Sequence, residues 1–281
     1  MIITTFIFSS ILILITILVT NKYKIFLDIP NERSSHSKVT PRIGGLPVGI
    51  IFIICSMILN LNPIVISLSI IILIVGIIDD FIEVSNKLKL IIIFLISMVL
   101  IYPGVENLYM IPIMLLIISS IIIGFNFIDG LNGSSTILAI ITTVMFSILY
   151  LNTNDSNVDL TLSLLVILVS FLMFNIKGTI FLGDSGTMFI GFILAYFSLD
   201  LYEKGVLDII QALFINGLYL LDLIVIVFYR VIILKKSPFK ADKNHIHHII
   251  KENYGKLTLP ILAIIHSLII FSILGPDKLI L

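Results

Sequence analysis

Apolar residues in this chain fall into long runs separated by short polar stretches, and many runs have the length of a membrane crossing. A helix needs roughly 20 consecutive apolar residues to span a bilayer. The runs predict ten helices, over about 2–20, 46–61, 63–78, 89–102, 108–125, 135–151, 160–174, 187–201, 207–234 and 257–275. The run at 89–102 is short, whereas 207–234 is long enough to bend or to continue past the bilayer surface. The first run lacks a preceding basic segment, with Lys22 and Lys24 following it instead, so it is expected to be a retained span rather than a cleaved signal. The pattern predicts an all-α, polytopic membrane bundle of about ten helices, with residues 1–281 forming a single domain.

Ten crossings divide the polar stretches into two sets. One set is 21–45, 79–88, 126–134, 175–186 and 235–256; the other is the short connectors near 62, 103–107, 152–159 and 202–206, with both termini. When span-edge residues are assigned to the nearer loop, all but two of the 17 Lys and Arg fall in the first set, the exceptions being Lys204 and Lys278. Cations accumulate on the cytoplasmic side of membrane proteins. The first set is therefore expected in the cytoplasm and both termini outside it, in a protein of the cell membrane. A single miscounted helix would scatter the charges over both faces.

Composition agrees with this architecture and narrows the chemistry. The chain is 59% hydrophobic and 12% charged, about half the charged share of a soluble domain. Its net charge of +0 provides no general field to attract nucleic acid. Cys55 is the one cysteine and lies in an apolar run, which excludes a disulfide framework and a thiolate metal cluster.

All five cytoplasmic loops carry unusual polar sequence. The first runs from Asp28 through Arg33, His36, Lys38 and Arg42 to Gly44-Gly45, a set of cations and backbone N–H groups suited to phosphate, though also to plain anchoring. The second contains Asp79-Asp80 at a span end, where paired acids are costly unless they meet cations, a metal or water. In the third, Asn126-Phe-Ile-Asp129-Gly130, a helical turn would present Asn126 and Asp129 to one point. The fourth, Phe181-Leu-Gly183-Asp184-Ser-Gly-Thr187, offers a carboxylate between glycines; capping of the following helix by Asp184 is the bland alternative. The fifth holds His245, His247 and His248, a cluster suited to phosphate oxygens or a metal. Within the ninth run, Asp222 and Arg230 lie two turns apart and are expected to be paired through intermediates. His266 reads as a satisfied contact inside the bundle, and Asp155, Asp159, Asp200, Glu203 and Asp208 as solvated ends on the outer side. Carboxylates with a hard divalent cation, ringed by basic groups, are the usual equipment for chemistry at a diphosphate.

In these five segments and their order the chain resembles the polyprenyl-phosphate N-acetylhexosamine-1-phosphate transferases, in the UDP-N-acetylglucosamine branch rather than the phospho-muramoyl-pentapeptide branch. The resemblance implies that Asp79 and Asp80 lie near the lipid phosphate and the metal, and that Asp79, Asp80, Asp129 and Asp184 form the catalytic set. It implies that Asp184 and Asn126 hold Mg2+, with Mn2+ as a substitute, and that Phe181 stacks on uracil. It further implies that Arg33, His36, Lys38, Arg42, Arg230, His245, His247 and His248 bind the diphosphate and its surroundings. Thr187 stands where the family motif has Ser, keeping the hydroxyl. The implied partners are a UDP-activated amino sugar and a polyprenyl phosphate, with a homodimer as an open assembly state. From the residues alone, the rival reading is an ion-coupled transporter, although such a carrier needs polar groups near the bilayer midplane and Asp222 is the clear candidate.

Overall fold

The computed structural model describes residues 1–30, 38–101, 108–235, 237 and 244–278; Arg33 and His36 lie outside the described residues. The chain forms α1 (Ile2–Tyr23), a small ribbon of β1 (Leu27–Asp28) and β2 (Thr40–Pro41), then α2 (Gly45–Ile58), α3 (Pro63–Ile82) and α4 (Asn86–Ile101). It continues with α5 (Ile111–Phe127), α6 (Ser134–Asn152), α7 (Asn157–Asn175), α8 (Gly183–Glu203), α9 (Ile209–Phe214), α10 (Gly217–Phe228), α11 (Ile246–Tyr254) and α12 (Thr258–Leu274). Among the described residues, seven stretches are long and apolar enough to cross a membrane, and α2, with 14 residues, is a shorter apolar helix. Ile3, Phe8 and Leu18 on α1, and Leu95, Leu116 and Leu268 on other helices, are exposed. Water would not tolerate such continuous apolar surface, but lipid does. The protein is an all-α multi-pass membrane protein.

At the centre is α8, buried from Ser185 to Leu199. It packs against α2, α3 and α5, with Phe189, Phe192 and Phe197 fully enclosed. Small residues let the backbones meet at its N-terminal end. A Cβ at Gly76 of α3 would stand 2.4 Å from Ser185 Cα, and one at Gly45 would stand 2.0 Å from Gly186 N. Such contact is a common way for membrane helices to gain packing energy. It brings the ends of α2 and α3 against the first turn of α8.

The long ninth run does not continue as one helix. It breaks between α9 and α10, where Gly217 has φ +49°, and α10 passes into a π-helical turn over Tyr229–Ile233. Freed backbone groups in a membrane need internal partners. Here Leu218 N–H donates to His266 Nδ1 at 3.1 Å, and His266 Nε2 lies 2.9 Å from Thr142 Oγ1, so His266 is a satisfied contact as expected. The two outlying cations lie at the end of the bundle opposite the acidic loops. There Lys204 is 2.7 Å from both Asp155 and Asp200, and Tyr150 donates to Asp200 at 2.6 Å. Asp155 and Asp200 are thus ion-paired, not merely solvated.

Candidate active site

The first and fourth loops are joined by backbone hydrogen bonds. Phe181 N–H donates to Pro41 O at 2.8 Å, Gly44 N–H to Phe181 O at 2.8 Å and Gly45 N–H to Leu182 O at 2.9 Å. The ribbon holds the other edge of this segment, with Leu27 paired to Pro41 and Asp28 to Thr40. Arg42 and Phe181 are thereby fixed on adjacent strands of chain. Both line a polar cavity of about 380 Å³, together with Asn126, Asp129, Asp184 and His248. Residues from all but one of the five loops therefore share one wall, and the remaining loop supports it from behind.

That supporting loop carries the Asp-Asp pair. Asp80 accepts Asp184 N–H at 2.8 Å through Oδ1 and Ser185 N–H at 3.0 Å through Oδ2. Its side chain is 0% exposed, with Arg42 Nε 3.6 Å away. α8 has no capping side chain of its own. Asp80 supplies that cap from α3, where a carboxylate also complements the positive end of the helix. Asp184 is therefore not the cap of its own helix but a residue of its first turn, with its carboxylate turned to the cavity. Asp79 is likewise set back: Oδ2 takes a hydrogen bond from Lys89 Nζ at 2.6 Å and Oδ1 one from Val84 N–H at 2.6 Å. Neither Asp79 nor Asp80 lines the cavity.

Lys89 was missed in the sequence, where it counted only as one more inside cation. Its ammonium joins Asp79 to Asp184 Oδ1, which is 3.6 Å away. Arg42 Nη2 lies 3.9 Å from Asp184 Oδ2. Asp184 thus faces the cavity between two cations. Asn126 orients it further, donating from Nδ2 to Asp184 Oδ1 at 2.8 Å and to Thr187 Oγ1 at 2.6 Å. The Thr187 hydroxyl, a group that Ser also carries, is thus engaged. Asp129 accepts a hydrogen bond from Ser135 Oγ, and burial pushes its carboxyl up to about 6, with the nearby Asp184 charge adding to the rise.

The histidines separate into different roles. His248 lines the cavity. His247 is 1% exposed and packs on the third loop, since a Cβ at Gly130 would come 2.1 Å from its Nε2; its two ring nitrogens have no hydrogen-bond partner among the described residues. His245 is held between Asp222 and Arg230, at 2.7 and 3.1 Å, and does not line the cavity. The intermediate expected between Asp222 and Arg230 is thus His245, contributed by another loop. Lys38 is exposed and outside the cavity wall.

A second, apolar groove of about 540 Å³ opens beside the cavity, lined by Leu90, Ile123, Phe127, Leu223, Val227 and Phe228 among others. Residues adjacent in the chain face the two sites. Lys89 contacts the carboxylates while Leu90 faces the groove, and Asn126 faces the cavity while Phe127 faces the groove.

Residues 62–202 match the family model described as glycosyl transferase family 4. The chain belongs to this family. It is similar to the undecaprenyl-phosphate alpha-N-acetylglucosaminyl 1-phosphate transferase of Thermotoga maritima, with 27% identity over 89% of this chain and 81% of that protein. The Bacillus subtilis protein named "Probable undecaprenyl-phosphate N-acetylglucosaminyl 1-phosphate transferase" is 29% identical over 88% of this chain and 76% of its own length. The corresponding Escherichia coli K12 transferase is 25% identical over 88% and 75%. The matched segment of this family 4 glycosyl transferase contains Asp79, Asp80, Asn126, Asp129 and Asp184, but neither the first basic loop nor the histidines.

The donor set of this family 4 site suits a magnesium ion. Asp184, Asp129 and Asn126 meet at one cavity wall, and among the described residues no group of three or more His, Cys, Asp or Glu forms a cage. Magnesium is usually held by one or two carboxylates and completes its octahedron with water and substrate phosphates. The arrangement supplies that number of carboxylates and leaves the other side open.

Proposed function

We propose that this protein is a phosphoglycosyl transferase that moves N-acetylhexosamine 1-phosphate, with N-acetylglucosamine as the first candidate, from a UDP-sugar to undecaprenyl phosphate. UMP would be released, and the lipid diphosphate sugar would start synthesis of a cell-envelope glycan. The observation that carries this reading is the meeting of two environments along α4 and α5. The carboxylate and cation cavity suits a diphosphate, and the adjoining apolar groove suits a polyprenyl tail, so adjacent residues would hold the two reacting phosphates. The names of the Thermotoga maritima and Escherichia coli relatives support the same acceptor and transferred group. The cationic loops favour a cytoplasmic cavity in the cell membrane. A transporter reading finds no support in the family match.

In this reaction an oxygen of the lipid phosphate attacks the β-phosphorus of the donor, and the bond from that phosphorus to the bridging oxygen breaks, with UMP keeping the oxygen. No strong base is needed, because a phosphate monoester with a second pKa near 6 is largely dianionic at neutral pH. Arg42 and Lys89 would neutralise the gathered negative charge, and Lys89 would stand nearest the acceptor phosphate. Asp184, Asp129 and Asn126 would hold Mg2+, or Mn2+ in its place; when bound, the ion neutralises charge on the diphosphate oxygens. Asp80 would keep Asp184 in position, and His248 on the cavity wall would donate to phosphate oxygens. Phe181, on the cavity wall, would offer the uracil a stacking face. Direct attack is favoured over a covalent phosphate on Asp79 or Asp80, because both carboxylates are engaged behind the wall.

The test is release of labelled UMP from purified protein with undecaprenyl phosphate and a panel of UDP-sugars. UMP formation that requires both the lipid and a divalent cation is the expected result. No release with any donor would overturn the proposal.

A further inference from the structure

Asp222 and Arg230 lie inside the membrane helix region, where charged side chains are costly unless they are paired or used. Asp222 is 6% and Arg230 2% exposed. Their common partner is His245. The guanidinium of Arg230 can only donate, so at 3.1 Å from His245 Nε2 it requires an unprotonated acceptor there. The ring proton is then assigned to Nδ1, which donates to Asp222 Oδ2 at 2.7 Å. The other carboxylate oxygen of Asp222 accepts Ile246 N–H at 2.8 Å, in the first turn of α11. One carboxylate therefore fixes both the tautomer of His245 and the N-terminal end of the helix that follows it.

We propose that Asp222 and Arg230 are positioning residues for the transfer reaction, clamping His245 as its Nδ1–H tautomer and thereby fixing the helix that brings His248 to the cavity and packs His247 on the third loop. The clamp also reaches the apolar groove. The Arg230 guanidinium lies 5.8 Å from the centre of the Phe127 ring, which stands nearly perpendicular to the His245 ring with their centres 5.6 Å apart. Phe127 and Leu223 are groove residues, and Leu223 follows Asp222 directly. The same helix turn thus shapes the apolar groove and anchors the helix that presents His248 to the cavity. An imidazole oriented through one nitrogen by a carboxylate loses its role when that partner becomes an amide that stabilises the other tautomer.

The inference rests on the proposed reaction only for its kinetic test. The full chain, labelled with 15N-histidine in detergent, is compared with Asp222→Asn, His245→Asn and the double variant. His245, assigned by the signal lost in His245→Asn, should show the Nδ1–H tautomer in the wild type and the opposite one in Asp222→Asn. In the UMP assay Asp222→Asn should lower kcat by about 10–100-fold, the range typical of groups that orient a functional imidazole. The double variant should lose no more than the worse single one, as expected for residues acting as a unit. An Nε2–H or doubly protonated His245 in the wild type, wild-type kcat in Asp222→Asn, or additive losses would each overturn the clamp. Should Asp222→Asn not fold, Arg230→Leu removes the Nε2 donor together with the contact over Phe127 and is expected to show the same loss of kcat; unchanged kcat there is equally fatal. The NMR comparison needs no turnover, so a wild type that transfers nothing would sink the reaction and still report on the clamp.

Discussion

Replacing Asp80 by asparagine should weaken both the protein and its response to magnesium. The wild-type carboxylate takes one backbone N–H on each oxygen, from Asp184 and Ser185. An amide can accept one of them but must turn its NH2 group toward the other. A buried N–H left without an acceptor costs about 1–3 kcal/mol, and losing the charged cap costs about 1 kcal/mol more. The sum is on the order of 2–4 kcal/mol for Asp80→Asn, with Asp80→Ala at or above its upper end because both N–H groups lose their acceptor. Asp184 lies in the turn that is released, so its carboxylate loses its fixed direction. The Mg2+ concentration for half-maximal UMP release should rise by about 10–100-fold, as for other residues that support a metal ligand from behind. Chemical unfolding in detergent reads the first effect, and Mg2+ titration of turnover reads the second. Unchanged stability with unchanged Mg2+ dependence would refute the reasoning. Abolished turnover with both unchanged would instead make Asp80 a reacting group.

Asp184→Asn should lose magnesium-dependent turnover while still inserting in the membrane; full activity would remove Asp184 from the ion site. Lys89→Met should leave the buried Asp79 carboxylate without its cation and lower kcat at least tenfold, and retention of kcat would show that Arg42 suffices. With the folded-state carboxyl of Asp129 raised to about 6, metal-free protein should be most stable below about pH 4 with respect to this group. That contribution should fade as the pH rises through 6, by on the order of 2–3 kcal/mol at most. Asp129→Asn should flatten this part of the stability profile measured in chelator, and an unaltered profile would dismiss Asp129 as its source. Val227→Trp, which fills the apolar groove, should raise KM about tenfold for undecaprenyl phosphate but little for a short-chain acceptor. Equal effects on both acceptors would place the tail elsewhere.

Hydropathy and charge along the chain were enough to determine that this is a helical membrane protein and which loops share a face. Those properties are local: a span must be apolar over its own length, and inside cations are counted loop by loop. The break in the ninth run was foreshadowed by its length, and Asn126, Asp129, Asp184, Arg42, Phe181 and His248 do line one cavity. Roles within the motifs were decided only by the fold. Asp79 and Asp80 are neighbours, yet about 100° of rotation per helical residue sends one to Lys89 and the other beneath α8, neither to the cavity wall. Lys89 looked like any other inside cation until α4 laid it across Asp79 and Asp184. His245 looked equivalent to His247 and His248, but Asp222 and Arg230 arrive from a distant helix and claim both its nitrogens. A carboxylate or imidazole does what its partners allow, and those partners come from other helices at separations that no periodicity along the chain records.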